Sequence, residues 1–228
     1  MLKKNLPLVA VFVVALAVGV YFITSSGQED EMAAMPEKTE TSVEATEPAS
    51  QSGSGPIEMV LGDANAPITV IEYASYTCPH CASFHRETYK PLKENYVDTG
   101  KIKFIFREVY FDKYGLWASL IARCAGPDAF FPVTDMLLGS QMTWARAGDD
   151  LAVIGELKKL ARVAGMADEK IEACLQDQDK VTSLVEWYKA NAEADGVRST
   201  PSFLINGTLY ENMSYEAFST LLDDKLGG

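Results

Sequence analysis

Apolar and polar positions change their period several times along this chain. Residues 6–23 form an unbroken apolar run of 18 residues behind Lys3 and Lys4. Residues 24–56 have no hydrophobic period and no aromatic side chain, and Glu, Ser, Thr, Ala and Pro dominate them. A folded domain begins near Ile57, with a short strand predicted at 57–61 and a turn-rich connection, Gly62-Asp-Ala-Asn-Ala-Pro67. Ile68-Thr-Val-Ile-Glu-Tyr-Ala74 has the β-branched and aromatic composition of a strand. A helix follows from Pro79 to about Tyr96, with Phe84, Tyr89, Leu92 and Tyr96 as core positions. Residues 101–110 alternate at first and then turn apolar, which reads as a strand parallel to 68–74 through that crossover helix.

From 113 to 195 the period is helical. Trp117, Leu120, Ile121 and Cys124 share one face. Leu151, Ile154, Leu157 and Ala161 share another, and Val181, Leu184, Val185 and Tyr188 a third. Breaks fall at Gly126-Pro127, Gly148-Asp149, Gly165 and Gly196, several beside aspartates suited to helix caps. Strands return at Ser202–Ile205 and Thr208–Glu211, joined through Asn206-Gly207, a strong hairpin signal. Ser214 is placed to cap a last helix whose apolar face is Tyr215, Phe218, Leu221 and Leu222.

Charge refines this picture at the N-terminal end. Lysines before an apolar run specify export, with the chain's start in the cytoplasm. At 18 residues the run lies at the lower edge of what crosses a bilayer, so 1–23 is expected to be a signal peptide or a membrane anchor. The net charge is −12, and 28–56 holds seven acids against one lysine. Residues 24–56 are therefore expected to be a disordered acidic linker with a reach of roughly 30 Å. The remaining domain is mildly acidic with no basic patch, which argues against nucleic acid as a partner. The chain ends Lys225-Leu-Gly-Gly and not in an endoplasmic-reticulum retention tetrapeptide, so the expected location is a bacterial periplasm or cell envelope.

The chemistry centres on Cys78-Pro79-His80-Cys81, between the strand at 68–74 and its helix. Proline suits the first helical position, which puts Cys78 at the N-cap, facing unpaired N–H groups and the positive end of the helix dipole. Both favour a thiolate, and a stabilised thiolate is a good leaving group in disulfide exchange. Half a zinc site and an inert structural disulfide are the rival readings, but no second Cys-x-x-Cys or His pair stands at ligand spacing, strand-motif-helix order favours a redox dithiol, and no metal is expected. His80 is either an exposed helix-start residue or an imidazole that favours the Cys78 thiolate. His85 reads as an ordinary helix residue. Cys124 and Cys174, on apolar faces, are either free core cysteines or, as an even count in an exported domain favours, a structural disulfide across the helical segment.

Val70-Ile-Glu-Tyr-Ala-Ser-Tyr-Thr-Cys-Pro-His-Cys81 resembles the active site of DsbA-type thiol:disulfide oxidoreductases, and Gly196-Val-Arg-Ser-Thr-Pro-Ser-Phe-Leu-Ile-Asn-Gly207 resembles their cis-proline segment. The resemblance runs from about Ile57 to Leu226, with Ser199 departing from the usual Gly or Ala. It implies an α/β thioredoxin fold from 57–112 and 196–228, with 113–195 as a helical insertion domain. It also implies a cis bond between Thr200 and Pro201, beside Cys78. Cys78 would be the solvent-facing sulfur that accepts the nucleophile, and Cys81 the buried one that re-forms the disulfide. Glu72, in a strand covered on both sides, would hold the proton of the buried thiol.

The expected protein is an exported, monomeric thiol oxidase acting on unfolded or reduced exported proteins. It would need no cofactor beyond the Cys78–Cys81 disulfide, and the resemblance implies reoxidation by a DsbB-type membrane protein. The rivals are an isomerase or reductase on the same fold and a non-catalytic binding or chaperone module.

Overall fold

The computed structural model describes residues 55–227. The expected signal or anchor at 1–23, and all of the linker but its last two residues, lie outside them. Among the described residues no helix is long and apolar enough to cross a membrane.

Among the described residues five strands form one mixed sheet: β1 (Met59–Leu61), β2 (Ile68–Ala74), β3 (Ile102–Glu108), β4 (Ser202–Ile205) and β5 (Thr208–Glu211), in the order β1-β3-β2-β4-β5. β2 runs parallel to β3 and antiparallel to β4, so it has a neighbour on each side. Its buried residues include Ile68, Val70, Glu72, Tyr73 and Ala74. β1 is shorter than the predicted 57–61: it pairs with β3 only over Met59–Leu61, and Ile57 before it is 57% exposed.

The β2–β3 crossover is a continuous helical segment: α1 (Pro79–Phe84), a π turn (His85–Tyr89), α2 (Lys90–Leu92) and a second π turn (Lys93–Val97). Pro91 has no N–H to give to the preceding turn, and the helix is wide on both sides of it. The sheet-facing side carries Phe84, Tyr89, Leu92 and Tyr96, all buried. Phe84 packs on Phe203 of β4, ring centroids 4.7 Å apart, and Phe218 of the last helix packs on both.

Six helices stand between β3 and β4: α3 (Lys113–Ala125), α4 (Pro127–Gly139), α5 (Gln141–Trp144), α6 (Asp150–Val163), α7 (Asp168–Gln176) and α8 (Gln178–Ala194). Asp112, Asp149 and Asp177 cap α3, α6 and α8 through their side chains. α6 corrects the sequence reading. Its inward row is Val153, Leu157 and Ala161, four residues apart, while Leu151 is 81% exposed in the first turn. Leu151, Ile154 and Leu157 also recur every three residues, so periodicity alone does not separate that row from the buried one.

α3 is tied to β3 by an ion pair out of solvent. Arg123 meets both carboxylate oxygens of Glu108 at 2.6 Å, and the Ser119 hydroxyl donates to the same carboxylate at 3.0 Å. The last helix, α9 (Tyr215–Leu226), is capped by Ser214 and buries Phe218 and Leu222.

Candidate active site

Cys78 is the N-cap of α1, in an extended backbone conformation with Pro79 next. The preceding turn is held from two directions. The Cys78 amide donates to the Ser75 carbonyl at 3.1 Å. Gln141, buried in α5, donates through Nε2 to the carbonyls of Tyr76 at 2.8 Å and Cys78 at 2.9 Å. Gln141 carries no local signature of this role, because the contact spans more than sixty residues.

Cys78 is 8% exposed and Cys81 is fully buried, and their sulfurs are unbonded here. The Cys81 thiol beside Cys78 is the largest influence holding its proton affinity down, to about 5. The Thr200 side chain and the backbone N–H groups of Cys81 and His80 add to this against the opposing effect of burial. Burial drives Cys81 the other way, far above an ordinary thiol, helped by Cys78 and by the charge of Glu72. One sulfur is thus poised as a thiolate and the other as a thiol.

His80 is exposed, and it acts on Cys78 through its backbone N–H. Glu72 is fully buried, and its Oε2 lies 3.1 Å from Nε2 of His85, which is 2% exposed. Sequence reasoning passed over His85. Its spacing of four residues from Cys81, one helical turn, was the available signal.

The Thr200–Pro201 bond is cis. The Cys78 thiol donates to the Thr200 carbonyl at 3.4 Å, across the gap between α1 and β4. The Thr200 hydroxyl is buried without a partner, which leaves it free to donate to a Cys78 thiolate. Thr200→Val is therefore expected to weaken the reduced form by roughly 0.5–1.5 kcal/mol, one hydrogen bond. For a two-electron couple that lowers the redox potential by about 10–30 mV. Equilibration against a glutathione buffer checks it, and a rise in potential would remove the hydrogen-bond argument.

Cys124 and Cys174 are disulfide-bonded, linking α3 to α7. Among the described residues no group of three or more His, Cys, Asp or Glu side chains is arranged to hold a metal ion. A cavity of about 620 Å³ lies by the second half of the crossover helix, against Leu61, Tyr89 and Phe131, away from the cysteines. Beside Pro79 lies a cleft of about 130 Å³, lined by Thr77, Asp112, Gln141 and Met142.

A parallel β2–helix–β3 unit with a Cys-x-x-Cys at the helix start, facing a cis-proline, defines a dithiol protein of thioredoxin fold. Residues 54–224 match the family described as Thioredoxin, and the chain belongs to that family. Among solved structures it is similar to alpha-DsbA1 of Wolbachia pipientis: 28% identity, TM-score 0.70, covering 75% of this chain and 92% of that one. BdbD of Bacillus subtilis is similar at 25% identity and TM-score 0.66, covering 75% and 94%. A Rickettsia bellii protein, provisionally named a protein-disulfide oxidoreductase, is 36% identical over 168 residues, 73% of this chain and 63% of that one. The chain spans about three-fifths of the length of the rickettsial relatives it matches.

Proposed function

We propose that this protein is a DsbA-type thiol oxidase that introduces disulfides into exported proteins through Cys78 and Cys81. The observation that carries the reading is the asymmetry of the two sulfurs. Cys78 keeps 8% of its surface exposed and has a proton affinity lowered to about 5, while Cys81 is fully buried and held as a thiol. A substrate thiolate attacks the Cys78 sulfur, the Cys78–Cys81 bond breaks, and Cys81 leaves. The second substrate thiol then attacks the substrate sulfur of the mixed disulfide, and Cys78 leaves as a stabilised thiolate. Two electrons pass from the substrate dithiol to the enzyme, and a leaving group of low proton affinity makes both the release and the overall oxidation favourable.

In this reading the substrates are reduced proteins in a bacterial periplasm or cell envelope. The enzyme acts as a monomer tethered or released at 1–23, with no cofactor besides its own disulfide. A disulfide-bearing, quinone-linked membrane protein of DsbB type takes the electrons. The Thioredoxin match and the likeness to alpha-DsbA1 and BdbD support the chemistry.

The oxidised protein is expected to convert a reduced, unfolded test protein to its disulfide form faster than it rescues a scrambled one. Faster rescue of the scrambled substrate would make it an isomerase. Absence of any exchange would leave the binding-module reading.

A further inference from the structure

We propose that His85 is a positioning residue for proton transfer at Cys81: it holds one oxygen of Glu72 so that the other is free to exchange a proton with the buried thiol. The proposal rests on the dithiol-exchange reading above.

Among the described residues three buried side-chain polar atoms lack a hydrogen-bond partner: Glu72 Oε1, His85 Nδ1 and Thr200 Oγ1. All three belong to residues around the dithiol. Buried polar atoms are normally satisfied, so an orphaned group calls for an explanation. For Glu72 the geometry supplies one. Its Oε2 is anchored on His85 Nε2 at 3.1 Å, while Oε1 is unclaimed, and the carboxylate charge acts on Cys81. His85 stands one turn after Cys81, at the start of the first π turn.

The ring itself is fixed by aromatic packing. It stacks on Tyr89 at 4.5 Å between centroids and meets Phe84 and Phe106 edge-on at 5.8 and 5.9 Å. Of the titratable groups, Cys81 and Tyr89 face the pair from the crossover helix. β3 and β4 present Phe106 and Phe203 opposite Glu72, and α9 presents Phe218 behind Phe84 and Phe203. α4 contributes Phe130 against Phe106, and its Asp135 acts on Tyr89 together with Asp98. In these apolar surroundings Glu72 and His85 form the polar couple beside Cys81.

When substrate thiolate attacks Cys78, the Cys78–Cys81 bond breaks and Cys81 leaves as a thiolate. The proton shared by Glu72 and His85 passes through Oε1 to Cys81 Sγ. When the Cys78 thiolate later attacks a disulfide of the reoxidising partner, Cys81 returns the proton to Oε1. It then attacks Cys78 Sγ, re-forming the internal disulfide as the partner thiolate leaves. The proton is stored and returned once per cycle, and the electrons end on the partner.

The test is the rate at which Cys81 resolves a Cys78–glutathione mixed disulfide, read by rapid acid quench and mass spectrometry in the full chain across about pH 6 to 9. His85→Phe keeps the stacking and removes the hydrogen bond. It is expected to slow resolution about tenfold or more near neutrality, with a rate that climbs steeply with pH as hydroxide takes over. His85→Gln can still donate to Oε2 and is expected to recover most of the rate. Alkylation of Cys78 should stay within about twofold of wild type in both.

A wild-type pH profile in His85→Phe, or equal losses in the Phe and Gln variants, would overturn the proposal. So would equal slowing of resolution and alkylation, which marks a structural role. If His85→Phe does not fold, the ring-nitrogen resonances of His85 in wild-type protein decide. They are expected to move between the dithiol and disulfide states, and identical spectra would end the idea. Wild-type protein that forms no mixed disulfide fails the exchange reading itself, whereas exchange with an unchanged variant profile fails only the role of His85.

Discussion

Reduced protein is expected to lose roughly 2–3 kcal/mol of stability relative to its Cys78–Cys81 disulfide form between about pH 7 and pH 4. In the folded dithiol, Cys78 has its proton affinity lowered to about 5, first by the Cys81 thiol and then by Thr200 and the backbone N–H groups of Cys81 and His80. In the unfolded chain it titrates as an ordinary thiol, near about 8.5. A group lowered on folding stabilises the fold fully above its unfolded value and loses that contribution as the pH falls through its folded value. At pH 7 about two units of the difference are in force, at roughly 1.4 kcal/mol each; at pH 4 almost none is. Carboxylates remote from the dithiol titrate over this range in both redox states, so they largely cancel in the comparison.

The disulfide form gains a pH-independent constraint on its unfolded chain. For so short a loop that is about 2 kcal/mol on chain-entropy grounds. The reduced form should therefore be at least as stable at pH 7 and clearly the weaker at pH 4. Denaturant unfolding of both forms at the two values measures the change. Thiolate absorbance gives the midpoint directly, and Cys81→Ala, which removes the largest lowering influence, should move it upward. A gap that does not change with pH would mean that Cys78 titrates like a free thiol.

What could be read along the chain was whatever has a local cause. The β4–β5 hairpin is marked by two residues: Asn206 and Gly207 both adopt positive φ, 47° and 82°, as a tight two-residue turn demands. The start of α1 was legible because a proline and the residue before it have few other conformations. Ser214 is visible as a cap for the same local reason. Pairings between distant segments were hidden. Nothing near Gln141 announces that it will hold the carbonyls of Tyr76 and Cys78. Nothing near Arg123 announces Glu108, which lies across α3 on the end of β3. His85 was an intermediate case, since its helical spacing from Cys81 was visible but its partner on β2 was not. On α6 periodicity alone left two neighbouring rows in competition, and only packing decided for Val153 over Leu151.

Removing the Cys124–Cys174 bond is expected to cost about 4 kcal/mol, the largest stability effect of any single cross-link in the described fold. The two cysteines are 50 residues apart in sequence, and the bond closes a loop that contains α4, α5 and α6. On chain-entropy grounds a loop of that length removes about 4 kcal/mol of freedom from the unfolded chain. Both cysteines are almost fully buried, in a core that also holds Ala161 and Ile171. Alanines in their place leave small voids that add to the loss. A domain net-stabilised by roughly 5–15 kcal/mol would give up a large part of its margin. For a fold of this size the change corresponds to a fall of roughly 10 °C in melting temperature. The Cys124→Ala/Cys174→Ala variant, unfolded in denaturant beside the wild type, measures it without leaving an odd thiol to mispair. Non-reduced digests of wild-type protein should contain the Cys124–Cys174 peptide. Free thiols at both positions would refute the bond, and a loss below about 1 kcal/mol would mean that helix packing, not the cross-link, holds α3 against α7.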